Sequence, residues 1–126
     1  MRLLESGEMY LETILILSKQ MPRVHAVDIA EYMSFSKPSV SRGLARLKTD
    51  GYILVKEGCN CIWLTEKGKE VAERIYERHV VITEMLEYVG VSPEVAAKDA
   101  CKIEHDLSDE TFELLKRHSA KLEKDA

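Results

Sequence analysis

Val40, Leu44 and Leu47 fall at i, i+4 and i+7, with polar or small residues between them. That spacing lays one apolar stripe along a helix and turns Ser39, Arg42, Arg46 and Thr49 to the opposite face. Ser36 caps its start, and Pro38 stands in the first turn, where a missing N–H costs nothing. Gly51, directly after Asp50, is a C′ residue that stops it. Two helical patterns precede this one. Ser6 can cap a first helix, with Glu8 in its opening turn and Met9, Tyr10, Ile14 and Leu17 on its apolar side. A break follows at Met21–Pro22–Arg23. Val24 to Met33, with Val27, Ile29, Ala30 and Met33 apolar, predicts a short second helix, and Ser34–Phe35 a tight turn.

After Gly51 the pattern changes from helical to strand-like. Tyr52–Lys56 and Cys61–Thr65 are β-rich runs joined by Glu57–Gly58–Cys59–Asn60, which predicts a hairpin with Tyr52 and Trp63 in the core beneath it. Thr65 then caps a long helix that reaches Val89 and is stopped by Gly90; its stripe is Val71, Ile75, Ile82, Leu86 and Val89. Ser92–Pro93 opens another helix ending near Asp106, and Ser108, followed by Asp109 and Glu110, opens a last one. The fold class is therefore mainly α with a small β-hairpin. Residues 1–65 read as a winged helix-turn-helix, and residues 66–126 as a helical dimerisation or sensing part.

Charge sharpens this division. The chain carries a formal net charge of -4, which by itself argues against nucleic acid. Arg23 to Lys56, however, holds six Lys+Arg against three Asp+Glu, whereas Glu57 to the end holds ten against sixteen. The basic stretch is the one that contains the third helix and the hairpin. A recognition helix must enter a major groove about 12 Å wide and present small polar or basic side chains to base edges. Arg42 is the best base reader, since its planar guanidinium matches guanine. Ser36, Lys37, Pro38, Ser39 and Arg46 lie where the phosphate backbone would pass, and Lys56 could reach phosphate from the wing. A lone helix with this face would be read as merely solvated. The helix-turn-helix spacing, the hairpin and the local positive charge together favour double-stranded DNA.

The acidic half carries a second constellation. Cys101, Glu104 and His105 stand at i, i+3 and i+4, so a thiolate, a carboxylate and an imidazole share one helix face. Such a set suits a borderline divalent metal such as Fe2+, Co2+, Ni2+ or Zn2+, although a buried Cys and two surface residues also meet this spacing by chance. His79 falls on the apolar stripe of the long helix, which ordinarily means a hydrogen-bonded core histidine; His25 and His118 read as surface residues. Three cysteines are an odd count, and a Cys-x-Cys pair is poorly placed for a disulfide, so reduced thiols in a cytoplasm are expected. The charged start MRLLESGEMYLE leaves no room for a signal core, and no apolar run approaches bilayer length.

Taken together, Glu8–Met9–Tyr10–Leu11, Ser36–Lys37–Pro38–Ser39–Val40–Ser41, Leu64–Thr65–Glu66–Lys67–Gly68, Ala100–Cys101–Lys102–Ile103–Glu104–His105 and Leu107–Ser108–Asp109–Glu110 give the chain a wider likeness. It resembles the diphtheria-toxin-repressor family of iron- and manganese-dependent bacterial repressors, in a short form without the SH3-like domain. The resemblance implies a homodimer whose N-terminal winged helix binds palindromic operator DNA and whose C-terminal helices dimerise and bind metal. It implies a regulatory site at Met9, Cys101, Glu104 and His105, whose thioether and thiolate favour Fe2+ over Mn2+. It also implies a second or bridging site that includes Glu12 and His79. Two departures stand out. Thr83 and Ala97 occupy positions where the iron branch has ligands, and Met9 and Cys101 stand where the manganese branch has carboxylates, so the ligand set is a hybrid. Cys59 and Cys61 match no ligand of the family and read as incidental.

The expected function is a metal-dependent transcriptional repressor, not an enzyme, with no organic cofactor and no membrane partner. The alternative is a winged-helix regulator that senses a small organic ligand or a redox state through Cys101. An enzyme with Cys101 as nucleophile and His105 as base fits poorly, because the two sit four apart on one helix with no oxyanion site legible.

Overall fold

The computed structural model describes Leu3 and residues 5–125, the side chains of 120–125 excepted; Met1, Arg2 and Leu4, part of the charged start noted above, lie outside the described residues. Six helices and one two-stranded antiparallel sheet follow in the order α1 Glu5–Gln20, α2 Ala26–Met33, α3 Lys37–Thr49, β1 Ile53–Lys56, β2 Cys61–Leu64, α4 Glu66–Tyr88, α5 Pro93–Ile103 and α6 Asp109–Asp125. The chain divides into two compact units, Met1–Arg74 and Ile75–Ala126, with the division inside α4.

In the first unit α1 is the central element. Its Tyr10, Leu11, Ile14, Leu15 and Leu17 are buried and pack with Ile29 and Ala30 of α2 and Val40, Leu44 and Leu47 of α3. Each such aliphatic side chain, fully buried, contributes about 1.5–3 kcal/mol. The α1–α3 approach depends on Gly43: a Cβ there would run into the Tyr10 ring. Tyr10 also meets Phe35 edge-on, ring centroids 6.1 Å apart. Ser34 takes a left-handed conformation with φ 57° and makes the tight turn between α2 and α3. Ser36 caps α3 by accepting the Ser39 N–H at 3.3 Å, and Gly51 leaves the helix with φ 82°.

The wing pairs Ile53 with Leu64, Leu54 with Trp63, Val55 with Ile62 and Lys56 with Cys61. Val24 does not begin α2, as its apolar character suggested. It bridges to Ile62 instead, whose N–H donates to the Val24 carbonyl at 2.8 Å, and α2 starts after His25. Strand pairing won over helix extension because Val24 needs a partner for its backbone as well as burial. Tyr52 is buried as expected, but Trp63 is 52% exposed, on the same wing face as exposed Leu54. The alternation of the strand turns Ile62 inward, and the neighbouring Trp63 must then point out. Thr65 caps α4 by accepting the Gly68 N–H at 3.1 Å, and Gly68 lies so close to the Tyr52 carbonyl that no side chain fits there.

The expectation of three reduced thiols fails on the wing. Cys59 and Cys61 are joined as a disulfide; Asn60 between them adopts φ 56°, which brings their Cα atoms to 5.3 Å. That separation lies within the disulfide range despite the short spacing.

In the second unit Ile75 and Ile82 of α4, Ala96 and Ala100 of α5 and Phe112 of α6 form the core. The expected stripe on α4 is shifted at its end: Val89 is exposed, and Arg78 is buried between Ile75 and Ile82. α5 stops at Ile103, earlier than the sequence suggested, so Glu104 and His105 stand on the turn that follows. Glu104 keeps helical dihedrals, and its N–H still bonds to the Ala100 carbonyl at 2.9 Å. Ser108 caps α6 by accepting the Thr111 N–H at 3.1 Å.

Candidate metal centre and nucleic-acid face

Glu104 is the centre of the polar arrangement in the second unit. Its side chain is fully buried, and each carboxylate oxygen has a histidine: His79 Nδ1 lies 2.9 Å from Oε2, and His105 Nε2 lies 3.4 Å from Oε1. Cys101 Sγ, one turn earlier on α5, is 3.8 Å from the same His79 Nδ1. The donor atoms of His79, Cys101 and Glu104 all lie within 4.8 Å of one another. A buried carboxylate must be compensated, and here the compensation is imidazole. Cys101, and then Glu104, raise the His79 imidazole from 6.5 to about 10, against the opposing effect of burial.

Arg78, one residue before His79, fixes the segment that carries these groups. Its guanidinium donates to the carbonyls of Glu104 at 3.1 Å and Leu107 at 2.6 Å, and to the Asp109 carboxylate at 2.6 Å. It also lies over the Phe112 ring, 5.2 Å from the centroid. The residue pattern alone does not single out Arg78 as part of the site. The signal available was a charged residue three places after Ile75 and four before Ile82, on the buried stripe.

The sequence-derived ligands are thus distributed as follows. His79, Cys101 and Glu104 come together in the second unit, with His105 buried on the far oxygen of Glu104 and Cys101 exposed. Met9 and Glu12 belong to α1 in the first unit, one half-buried and the other 8% exposed. A thiolate, an imidazole and a carboxylate form a donor set that fits a borderline divalent cation. The thiolate is the softest of the three and is also the most accessible.

On the first unit Ser36, Lys37, Pro38, Arg42 and Arg46 are exposed along α3, and Ser39 is half-buried. Ser36 Oγ donates to Ser39 Oγ at 2.8 Å, and Arg42 reaches the same hydroxyl at 3.4 Å. The α3 N-terminus therefore presents a linked polar row, with Lys56 exposed on the wing.

Residues 2–58 match the family model described as the iron dependent repressor N-terminal DNA binding domain, and residues 65–126 match that of the iron dependent repressor metal binding and dimerisation domain. The chain is 34% identical over 116 residues to the transcriptional regulator MntR of Escherichia coli O6:H1, a match covering 89% of this chain and 74% of that protein. It is 35% identical over 114 residues to an uncharacterised HTH-type transcriptional regulator of Methanocaldococcus jannaschii, covering 89% of this chain and 90% of the other. Among solved structures, that of the manganese regulator SloR aligns with a TM-score of 0.79 at 29% identity; the match covers 89% of this chain but only 52% of that one.

Proposed function

Because this chain belongs to the iron-dependent repressor family, a family of transcriptional regulators and not of enzymes, we propose that it represses transcription in the cytoplasm by binding palindromic operator DNA as a divalent-metal-dependent homodimer. The observation that carries the reading is the meeting of His79, Cys101 and Glu104 in the half of the chain matched by a metal-binding domain model. His79, Cys101 and Glu104 would hold the cation, with His105 beside Glu104, and Met9 and Glu12 of α1 are proposed as further ligands on the strength of the family resemblance. When bound, the cation supplies positive charge that neutralises the Cys101 thiolate and the buried Glu104 carboxylate. His79 must give up the proton that Cys101 and Glu104 hold on it, so protons compete with metal at this nitrogen. Arg78 keeps Glu104 in place through the backbone, leaving both carboxylate oxygens to the site.

Fe2+ is the cation the donors favour, because Cys101 is a soft ligand where oxygen-only sets suit Mn2+. The second reading is Mn2+, favoured by the likeness to the manganese regulator SloR. Exposed Val95, Ile103 and Leu114 on α5 and α6 supply apolar surface for a second copy, in the half matched by a dimerisation model.

The test is fluorescence anisotropy on random-sequence duplexes at fixed salt, anaerobically, with chelator and then with Fe2+ or Mn2+. Binding that appears only with metal supports the reading, and a lower requirement for Fe2+ than for Mn2+ supports the choice of cation. Equal binding in chelator removes the metal dependence, and a lower requirement for Mn2+ reverses the choice.

A further inference from the structure

The turn that joins β1 to β2 carries chemistry that neither the DNA face nor the centre at Glu104 uses. Cys59 and Cys61 flank Asn60, whose left-handed backbone turns both sulfurs to one side, and they are joined as a disulfide. Cys61 is 2% exposed, and His25, the residue before α2, is half-exposed beside it. His25 Nε2 lies 3.8 Å from Cys61 Sγ and 3.1 Å from the Cys59 carbonyl oxygen. The other ring nitrogen, Nδ1, faces Asp28 Oδ2 at 3.6 Å, and the same carboxylate accepts the His25 backbone N–H at 2.9 Å. Asp28 thus holds the His25 backbone by a hydrogen bond and places its carboxylate near the far ring nitrogen. The cluster joins residues 34 and 36 positions apart in the chain.

We propose that His25, Cys59 and Cys61 form a second metal site, on the winged-helix unit, that takes a thiophilic divalent cation of the Zn2+ type when the cysteine pair is reduced. Two thiolates and an imidazole are the donors such cations select, with metal–sulfur bonds of about 2.3 Å and metal–nitrogen bonds of about 2.0–2.1 Å. A carboxylate near the far nitrogen of an imidazole, as Asp28 is at 3.6 Å, is placed to support a metal-bound histidine. The disulfide first takes two electrons and two protons from a dithiol reductant, whose own thiols become a disulfide, and its S–S bond breaks. The cation then displaces one proton from each thiol as two metal–sulfur bonds form. His25 gives up the hydrogen bond from Nε2 to the Cys59 carbonyl and contributes the Nε2 lone pair, its one ring proton moving to Nδ1 beside Asp28. Three protein donors leave one tetrahedral position to water. Because the pair stands at the tip of the wing, the cation and the disulfide are two alternative ways of fixing that turn.

The experiment uses the full chain with Cys101→Ser, which removes the thiol of the other centre. Thiols are counted before and after dithiothreitol, the reductant is removed anaerobically, and Co2+ is titrated as the probe. Two new thiols per chain, a sulfur-to-cobalt charge-transfer band and the intense visible bands of tetrahedral Co2+ are expected. Both bands vanish when Cys59→Ser and Cys61→Ser are added. Asp28→Asn, which can still accept the His25 N–H, weakens Co2+ binding about 10–100-fold while leaving the circular dichroism unchanged. A pair that dithiothreitol does not open overturns the proposal. So do thiols that open but bind Co2+ without a charge-transfer band, and His25→Gln binding Co2+ as tightly as its parent.

Discussion

The guanidinium of Arg78 donates to the backbone carbonyl of Glu104 at 3.1 Å while the next residue, His79, meets its carboxylate at 2.9 Å, so α4 holds Glu104 by main chain and side chain together. The same guanidinium reaches the Leu107 carbonyl and the Asp109 carboxylate, so a single residue spans the whole connection from α5 to α6. Arg78→Met keeps an unbranched apolar stem and removes the donors. Each buried carbonyl left without a partner costs about 1–3 kcal/mol. Thermal unfolding in chelator should therefore show a clear fall in Tm, and isothermal titration a weaker metal affinity. An unchanged affinity alongside a lowered Tm would reduce Arg78 to a purely structural residue.

Cys101 is exposed, and its removal should leave the fold intact. Cys101→Ala is expected to keep the fold but to lower stability in chelator, because the Cys101–His79 pair that raises the imidazole is lost. The same variant should lose the metal-dependent gain in operator affinity. Anisotropy with and without metal checks this, and a full metal response in the variant would strike Cys101 from the ligand set.

The His79 imidazole, raised from 6.5 to about 10 first by Cys101 and then by Glu104, gives the centre a definite pH signature. A folded-state pKa above the unfolded value means the folded chain holds the proton more tightly. The resulting stability is fully present below pH 6.5 and is lost as pH rises through about 10. Urea unfolding in chelator should accordingly show wild-type stability declining over that interval relative to His79→Gln. Metal affinity should move in the opposite direction and rise with pH, because the proton on His79 has to leave. Parallel stability profiles for the two proteins would refute the assignment of this proton.

Arg42 extends from the exposed face of α3 and touches only Ser39 among the contacts seen there. Arg42→Ala should lower specific operator affinity by about 1–3 kcal/mol and relax preference at the base it reads. Metal binding should be unaffected. Lys56→Ala should instead weaken binding to all duplexes alike and reduce the salt slope by about one. An operator affinity that does not change on losing Arg42 would take it out of the readout.

Gly43 lets α3 lie directly on Tyr10, and any Cβ there meets the ring. Gly43→Ala should destabilise the first unit by about 1–3 kcal/mol, as overpacking does in a filled core. Tyr10→Leu, which shortens the obstructing side chain, should restore part of that loss in the double variant. A neutral Gly43→Ala would mean that α1 and α3 are free to separate.

Much of the fold was legible because period and capping agreed. Val40, Leu44 and Leu47 marked the buried side of α3, Ser36 and Gly51 marked its ends, and all hold those positions. The losses came where a long-range partner decided the outcome. Val24 is apolar and precedes a helix, and only the distant backbone of Ile62 makes it a strand residue. Arg78 looks like a solvated charge until three acceptors from another segment surround it. The centre itself shows the same limit. Cys101 and Glu104 are three apart on one helix, so their adjacency is a local fact. His79 stands 22 residues before Cys101, and the fold of α4 against α5 is what brings its ring to the sulfur. Cys59, Cys61 and His25 could not be joined by spacing at all, since the left-handed turn at Asn60 and the bridge from Val24 to Ile62 set their distances.

The chain has one tryptophan, and it is Trp63, half in solvent on the face of the wing beside Leu54. The molecule therefore carries its own optical reporter on the wing face of the first unit. A duplex laid against the wing would shield the indole and shift its emission to the blue, while a cation bound only at Glu104 would reach it solely through changes in the first unit. Emission from an unlabelled sample would thus report contact of DNA with the wing apart from metal binding in the second unit.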